Sequence, residues 1–210
     1  SKNIYNDIKE LTVQPVIYIP HVVNFKYFND ALGDKYIPKD IIDISKPIVG
    51  YYGTLTKSTD WEIIEYCVKE RPNYNYVLIG RDEVNYEGLK NLKNIIFLGK
   101  KDFKEIPHYG KMFDVCISPF IQEEWIQNSS PLKIKEYLSL EKPVVSTYIE
   151  EVQKLYSQIV YIAKDKFEFL NYIDLNIKKP NKEKIELGKE LVKLESWDNV
   201  VRELNATLKN

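Results

Sequence analysis

The chain has 210 residues, 30 basic and 31 acidic, which is enough for one large domain and too short for two full ones. A net charge of −1 leaves no electrostatic footprint for nucleic acid, and a local cluster such as "NIKKPNKEK" reads as solvated surface. Two distant cysteines, Cys67 and Cys116, and two histidines, His21 and His108, give neither a disulfide framework nor metal spacing, and no apolar run reaches membrane-spanning length, so the expectation is a cytoplasmic protein without a metal.

The first 47 residues show little periodicity. "VQPVIYIPHVVNFKYF" holds a strand-like run interrupted by Pro20, and reads as a linker and residual segment arriving from a domain that is absent. From Pro47 the pattern changes. "PIVGYYG" (47–53) is a buried strand ending in glycine, and "STDWEIIEYCVKERP" places Trp61, Ile64, Cys67 and Val68 at helical spacing, with Ser58 or Thr59 as cap. "YNYVLIG" (74–80) is the second strand, "VNYEGLKNL" a short helix, and "NIIFLG" (94–99) the third strand, followed by a helix ending near Met112. "DVCISPF" (114–120) is the fourth strand. An irregular "IQEEWIQNSS" leads to a helix over 131–140, and "KPVVST" (142–147) is the fifth strand. "EEVQKLY" is helical, "IVYIA" (159–163) is the sixth strand, and "DKFEFLNYIDLNI" and a charged tail from Lys182 to Leu208 are helical. Short apolar strands alternating with helices predict an α/β fold: a doubly wound, Rossmann-like parallel sheet of about six strands with helices on both faces. The expected division is 1–47 linker, 48–180 Rossmann-like domain and 181–210 C-terminal helices.

Ligands of such sheets bind outside the carboxyl ends of the strands. Three elements fall there. The turn "GYYGTLTKST" has Gly50 and Gly53 but no Gly-x-Gly-x-x-Gly spacing and no Walker lysine, so a plain turn accounts for it. "LIGRDE" and "FLGKKD" put Arg81 and Lys100 near the crevice, where two solvated basic side chains are an equal account. In "NSSPLKIKEYL", Ser130 suits an N-cap and Pro131 the first helical position, leaving the amides of Leu132 and Lys133 free to hold an anion with the helix dipole. Glu136 lies five residues past Pro131, roughly 7–8 Å along the axis at ~1.5 Å per residue, about the distance from a pyrophosphate to its ribose hydroxyls. An i,i+3 ion pair between Lys133 and Glu136 is the plainer account of the same two residues.

"SSPLKIKEYLSLEKPVVST" resembles the donor-site signature of the glycosyltransferases group 1 family, the retaining class with the GT-B fold. "GYYGTLTKSTDWEIIEYCVKERPNYNYVLIG" resembles that family's first βαβ unit, "NIIFLGKKDFKEIPHYGKMFDVCISPF" its third and fourth strands, and "ESWDNVVRELNATL" its closing helices. The resemblance implies the C-terminal, donor-binding half of a bacterial enzyme of cell-surface polysaccharide biosynthesis, taking a nucleoside diphosphate sugar and needing no metal. Its partners would be that donor and the N-terminal acceptor domain of the same full-length protein, with no nucleic acid and only peripheral membrane contact. Glu136 would then bind the ribose. Ser129, Ser130, Pro131, Leu132 and Lys133 would line the diphosphate and sugar site, Gly53 and Thr54 would face the phosphates, and Arg81 and Lys100 would lie near the base. Three positions depart from the pattern: Asn128 replaces the earlier of two glutamates, Thr54 replaces the first-loop arginine, and Asp60 replaces the lysine that follows it. Phosphate neutralisation would fall to Lys57, Lys133 and the helix dipole. A non-catalytic module of the same fold, or half of another GT-B enzyme such as a sugar-nucleotide epimerase, are the alternatives.

Overall fold

The six apolar runs all form strands: β1 (Ile48–Tyr52), β2 (Asn75–Ile79), β3 (Ile95–Gly99), β4 (Val115–Ser118), β5 (Val144–Thr147) and β6 (Tyr161–Ala163). They make one sheet in the order β3-β2-β1-β4-β5-β6, with every neighbouring pair parallel. The direction of winding reverses between β1 and β4, which creates the switch point of a doubly wound sheet. This computed structural model describes residues 1–84, 87–130, 132–195 and 197–207.

The helices among the described residues are α1 (Lys2–Leu11), α2 (Phe25–Asp30), α3 (Trp61–Glu70), α4 (Glu87–Lys90), α5 (Ile106–Gly110), α6 (Glu124–Gln127), α7 (Leu132–Ser139), α8 (Glu150–Tyr156), α9 (Lys166–Lys178), α10 (Lys182–Leu194) and α11 (Trp197–Thr207). A short 3-10 turn, Phe103–Glu105, leads into α5.

The strands are mostly apolar because both faces are covered, and successive side chains go to opposite cores. Ile48 and Tyr52 of β1, Val77 and Ile79 of β2, and Cys116 of β4 pack with α2, α5, α7, α8 and α10. Val49, Tyr51, Tyr76, Leu78, Val115 and Ile117 pack instead with α3, α4 and α9. Each fully buried Ile, Leu or Val contributes about 1.5–3 kcal/mol relative to exposure, so the two cores together dominate the stability of the sheet. Cys67 and Cys116 are free and buried, and burial pushes the Cys67 thiol up to about 12, so both behave as small hydrophobes.

Three local expectations differ from the structure. The run Val16–Ile19 forms no strand: its residues alternate half-buried and exposed without a ladder, between Pro15 and Pro20. The cap of α3 is Asp60, not Ser58 or Thr59; its side chain accepts from the Ile63 amide at 3.0 Å, while Thr59 is drawn into an antiparallel bridge with Phe120. The short helix expected over "VNYEGLKNL" is a single turn at α4, and Asn85 and Tyr86 lie outside the described residues. Within the leading segment, Val23, Phe28 and Ile41 are buried in the same core as Ile48 and Ile134. No helix among the described residues is long and apolar enough to cross a membrane.

Candidate functional site

The exits of β1, β2 and β3 converge at the carboxyl edge of the sheet. The Gly53 amide donates to the Ile79 carbonyl at 2.8 Å, and the Gly80 amide donates to Gly99 at 3.0 Å. Beyond Gly53 the chain keeps alongside β2, with the Leu55 amide on the Arg81 carbonyl at 3.0 Å. Two of these glycines are needed for close approach. A Cβ on Gly80 would sit 1.8 Å from the Gly53 carbonyl oxygen, and a Cβ on Gly53, whose φ is +146°, would sit 2.1 Å from Lys133 Cε.

Across from these exits stands the first turn of α7, held rigidly from behind. The Tyr137 hydroxyl accepts from the Tyr52 amide at 3.1 Å, and Lys135 reaches the His21 carbonyl at 2.5 Å and Glu195 at 2.9 Å. Between α7 and the strand exits lies a cleft of about 590 Å³, lined by Tyr52, Gly53, Thr54, Ile79, Gly80, Arg81, Lys100, Lys101, Asp102, Phe103, Ile106, Leu132, Lys133 and Glu136.

Seven of the residues anticipated from sequence therefore meet in one place: Gly53, Thr54, Arg81, Lys100, Leu132, Lys133 and Glu136. The structure places four others away from the lining. Lys57 is exposed on the loop before α3. Asn128 ends α6, where its amide donates back to Glu124 and Ile126, and the Ser129 hydroxyl donates to the Ile126 carbonyl at 2.7 Å. Local backbone thus takes up the Ser129 hydroxyl and the Asn128 backbone N–H, and Ser130 also lies off the lining. Pro131, expected at the first helical position, lies outside the described residues. Tyr52, Ile79, Gly80, Lys101, Asp102, Phe103 and Ile106 were not anticipated; the glycine ending "LIG" and the run "KKDF" were the only sequence signals for four of them.

The charges in the cleft are not equivalent. Arg81 is held by Glu83, and Lys101 by Asp40 at 2.5 Å. Lys100 and Lys133 have no ion pair among the described residues, so the positive charge free to meet an anion is theirs. The Lys133 stem passes over Gly53 and brings its ammonium 6.0 Å from the Tyr51 ring centre. Burial pulls the Lys133 ammonium down from the usual lysine range, and Glu136 partly restores it. Lys133 and Glu136 close no ion pair across the helical turn, so the plainer account of these two residues does not describe the folded site.

Glu136 is only 6% exposed, and burial raises its carboxyl above the ordinary glutamate range against the opposing pull of Tyr52 and Lys133. A raised carboxyl favours the folded state at low pH, and that contribution is lost as pH rises through the folded value. The ionised Glu136 is therefore a cost at neutral pH. Glu136→Gln is expected to raise the melting temperature at pH 7, with the gain vanishing in thermal scans below pH 4; a Glu136→Gln protein less stable at pH 7 would contradict this. A buried carboxylate that costs stability, open to a cleft with two uncommitted cations, can accept hydrogen bonds from hydroxyl groups beside a negative charge.

A parallel sheet whose switch-point edge opens such a cleft against a helix end defines a Rossmann-like domain. The sequence matches the family described as glycosyl transferases group 1 over residues 46–173, and the chain belongs to that family. Over 118 residues it is 31% identical to TuaH of Bacillus subtilis (strain 168), a glycosyltransferase assigned to teichuronic acid biosynthesis; the match takes in 54% of this chain and 30% of TuaH. Its fold is that of a solved glycosyltransferase from Rickettsia africae, with TM-score 0.73 at 16% identity over 98% of this chain and 62% of that one. HepE of Anabaena, solved in complex with UDP and glucose, gives TM-score 0.71 at 16% identity, covering 93% of this chain and 56% of HepE. Sucrose-phosphate synthase from Thermosynechococcus elongatus gives 0.69 at 20% identity, covering 91% and 51%. The chain thus spans between about half and two thirds of these structures, and its sheet is one half of the GT-B fold they share.

Proposed function

We propose that this chain is the donor-binding half of a retaining glycosyltransferase that moves a sugar from a nucleoside diphosphate sugar to an acceptor hydroxyl. The observation that carries the reading is Glu136: a buried carboxylate, unpaired with Lys133, opening into the cation-lined cleft at the switch point. In this reading Glu136 accepts from the ribose hydroxyls, and Lys133 and the amino end of α7 take the diphosphate. The same groups stabilise the negative charge that grows on the departing diphosphate, with no metal required. Arg81 and Lys100 flank the base. HepE, of the same fold, was solved with UDP and glucose, which supports a nucleotide-sugar ligand, and TuaH supports a place in bacterial cell-surface polysaccharide synthesis.

The acceptor site belongs, in this proposal, to an N-terminal domain of the same full-length protein. The exposed Ile4, Ile8, Leu11, Val13, Ile17 and Ile19 of the leading segment are the surface it would cover. The 210 residues alone are then a binding-competent but inactive fragment, cytoplasmic and at most peripherally attached to a membrane. One observation favours the non-catalytic alternative: Asp60, where the family resemblance expects a lysine, is committed to capping α3.

Titration calorimetry with UDP, GDP and ADP tests the reading. At least one nucleoside diphosphate is expected to bind, and Glu136→Ala to weaken it at least about tenfold through the loss of charge-assisted hydrogen bonds. No binding of any of them would sink the donor-site reading. Binding without transfer by the full-length protein would favour the non-catalytic module.

A further inference from the structure

Tyr52 closes the inner wall of the cleft, and its hydroxyl is a fully buried polar group with no hydrogen bond among the described residues. The residue is 4% exposed, and Tyr52 Oη is buried without a hydrogen bond. A buried hydroxyl in that state forfeits the bonds it would make with water, and phenylalanine would fill the same space without that cost.

The ring has no freedom to turn the hydroxyl elsewhere. It packs edge-on against Tyr137 with centroids 4.7 Å apart and lies 6.5 Å from Phe113. Behind it, Gly110 leaves a gap where any Cβ would come within 3.3 Å of Tyr52 Cε1. The backbone of Tyr52 is fixed as well, by the bond from its amide to the Tyr137 hydroxyl at 3.1 Å. So held, the hydroxyl shares the cleft lining with Glu136 and pulls its carboxyl down against the raising effect of burial.

We propose that Tyr52 is the positioning residue of this site: its hydroxyl donates to the Glu136 carboxylate and holds it turned into the cleft, ready to accept from a ligand's paired hydroxyls. The inference rests on the donor-site reading for the identity of that ligand. In that bond the carboxylate keeps acceptor capacity on its other oxygen. The remaining groups around Glu136 do not replace this role. Lys133 and Tyr137 lie on its own helix, and the Tyr137 hydroxyl is already bonded to the Tyr52 amide. Arg81 on the β2 exit and Lys101 and Asp102 beyond β3 are in salt bridges, and Lys100 stands exposed at the rim. Cys116 of β4 adjoins Tyr52 but is buried.

Two measurements on wild type and Tyr52→Phe decide the matter. The first is the carboxyl titration of Glu136 in the ligand-free protein, followed by carbon NMR and assigned by the signal missing from Glu136→Gln. Its midpoint is expected to rise in Tyr52→Phe; an unchanged or lower midpoint overturns the proposal without reference to any nucleotide. The second is calorimetry with UDP and GDP across pH. Tyr52→Phe is expected to bind about tenfold more weakly at pH 7, with affinity recovering as pH rises and Glu136 ionises. A loss that higher pH does not recover makes Tyr52 a direct ligand contact and overturns the positioning role. If wild type binds none of UDP, GDP and ADP, the donor-site reading falls, while the carboxyl titration still decides whether Tyr52 governs Glu136.

Discussion

Gly80→Ala is expected to destabilise the protein by about 3 kcal/mol and to abolish the nucleotide binding proposed for the cleft. The added methyl would sit 1.8 Å from the Gly53 carbonyl oxygen, a backbone atom that no rotamer change can move aside. Both glycines are tied down, Gly53 to Ile79 at 2.8 Å and Gly80 to Gly99 at 3.0 Å, so the exits of β1 and β2 must separate. That separation displaces Gly53 from beneath the Lys133 stem and opens the cleft where the diphosphate is proposed to sit. In a domain of this size the melting temperature should fall by roughly 6–12 °C. Gly88→Ala is the control. A Cβ there meets nothing within 4 Å, and alanine suits a helix, so its melting temperature should stay level or rise. Equal effects of the two substitutions would show that close approach at the strand exits is not what demands glycine.

The second large effect is expected on the opposite face. Arg71, at the end of α3, grips Asp174 of α9 through Nε at 2.9 Å and Nη2 at 2.6 Å, with the Asp174 side chain 12% exposed. Burial by itself would raise the Asp174 carboxyl, but the hydrogen bonds from Arg71 and Tyr74 outweigh it and hold the carboxyl below the ordinary aspartate range. A depressed carboxyl stabilises the fold above its unfolded value and loses that contribution as pH falls through its folded value. Asp174→Asn should therefore cost about 2 kcal/mol at pH 7, discounted from a fully buried pair because Arg71 is partly exposed. The difference from wild type should shrink in thermal melts taken from pH 5 towards pH 2. A deficit independent of pH would mean that packing, and not the ion pair, joins α3 to α9.

The two effects sit at different depths of legibility. The glycine that ends each of the first three strands is visible in "YYG", "LIG" and "FLG", and a turn is the ordinary reading of each. That Gly80 and Gly53 touch appears only when β1 and β2 are laid side by side in register. Arg71 and Asp174 carry no sequence signal at all, since a charge near a helix end has many possible partners. Asp60 shows the same limit on a smaller scale. It stands where the family resemblance expects a lysine, and only the fold reveals that its carboxylate caps α3.

What the sequence determined by itself was the sheet, the alternation of strand and helix, and the helix carrying Lys133 and Glu136. Those follow from local periodicity, turn chemistry and the short spacing of groups along one helix, all of which act between near neighbours in the chain. What the tertiary structure decided was which charges in the cleft are free. Lys101 is claimed by Asp40 and Arg81 by Glu83, while Lys133 and Glu136 act on each other's charge along the helix without forming a salt bridge. It also brought Tyr52, at the end of β1, into the same cleft as Glu136 of α7. Ion pairing and burial depend on distances between segments far apart in sequence, and those distances are set only when the two cores close around the sheet.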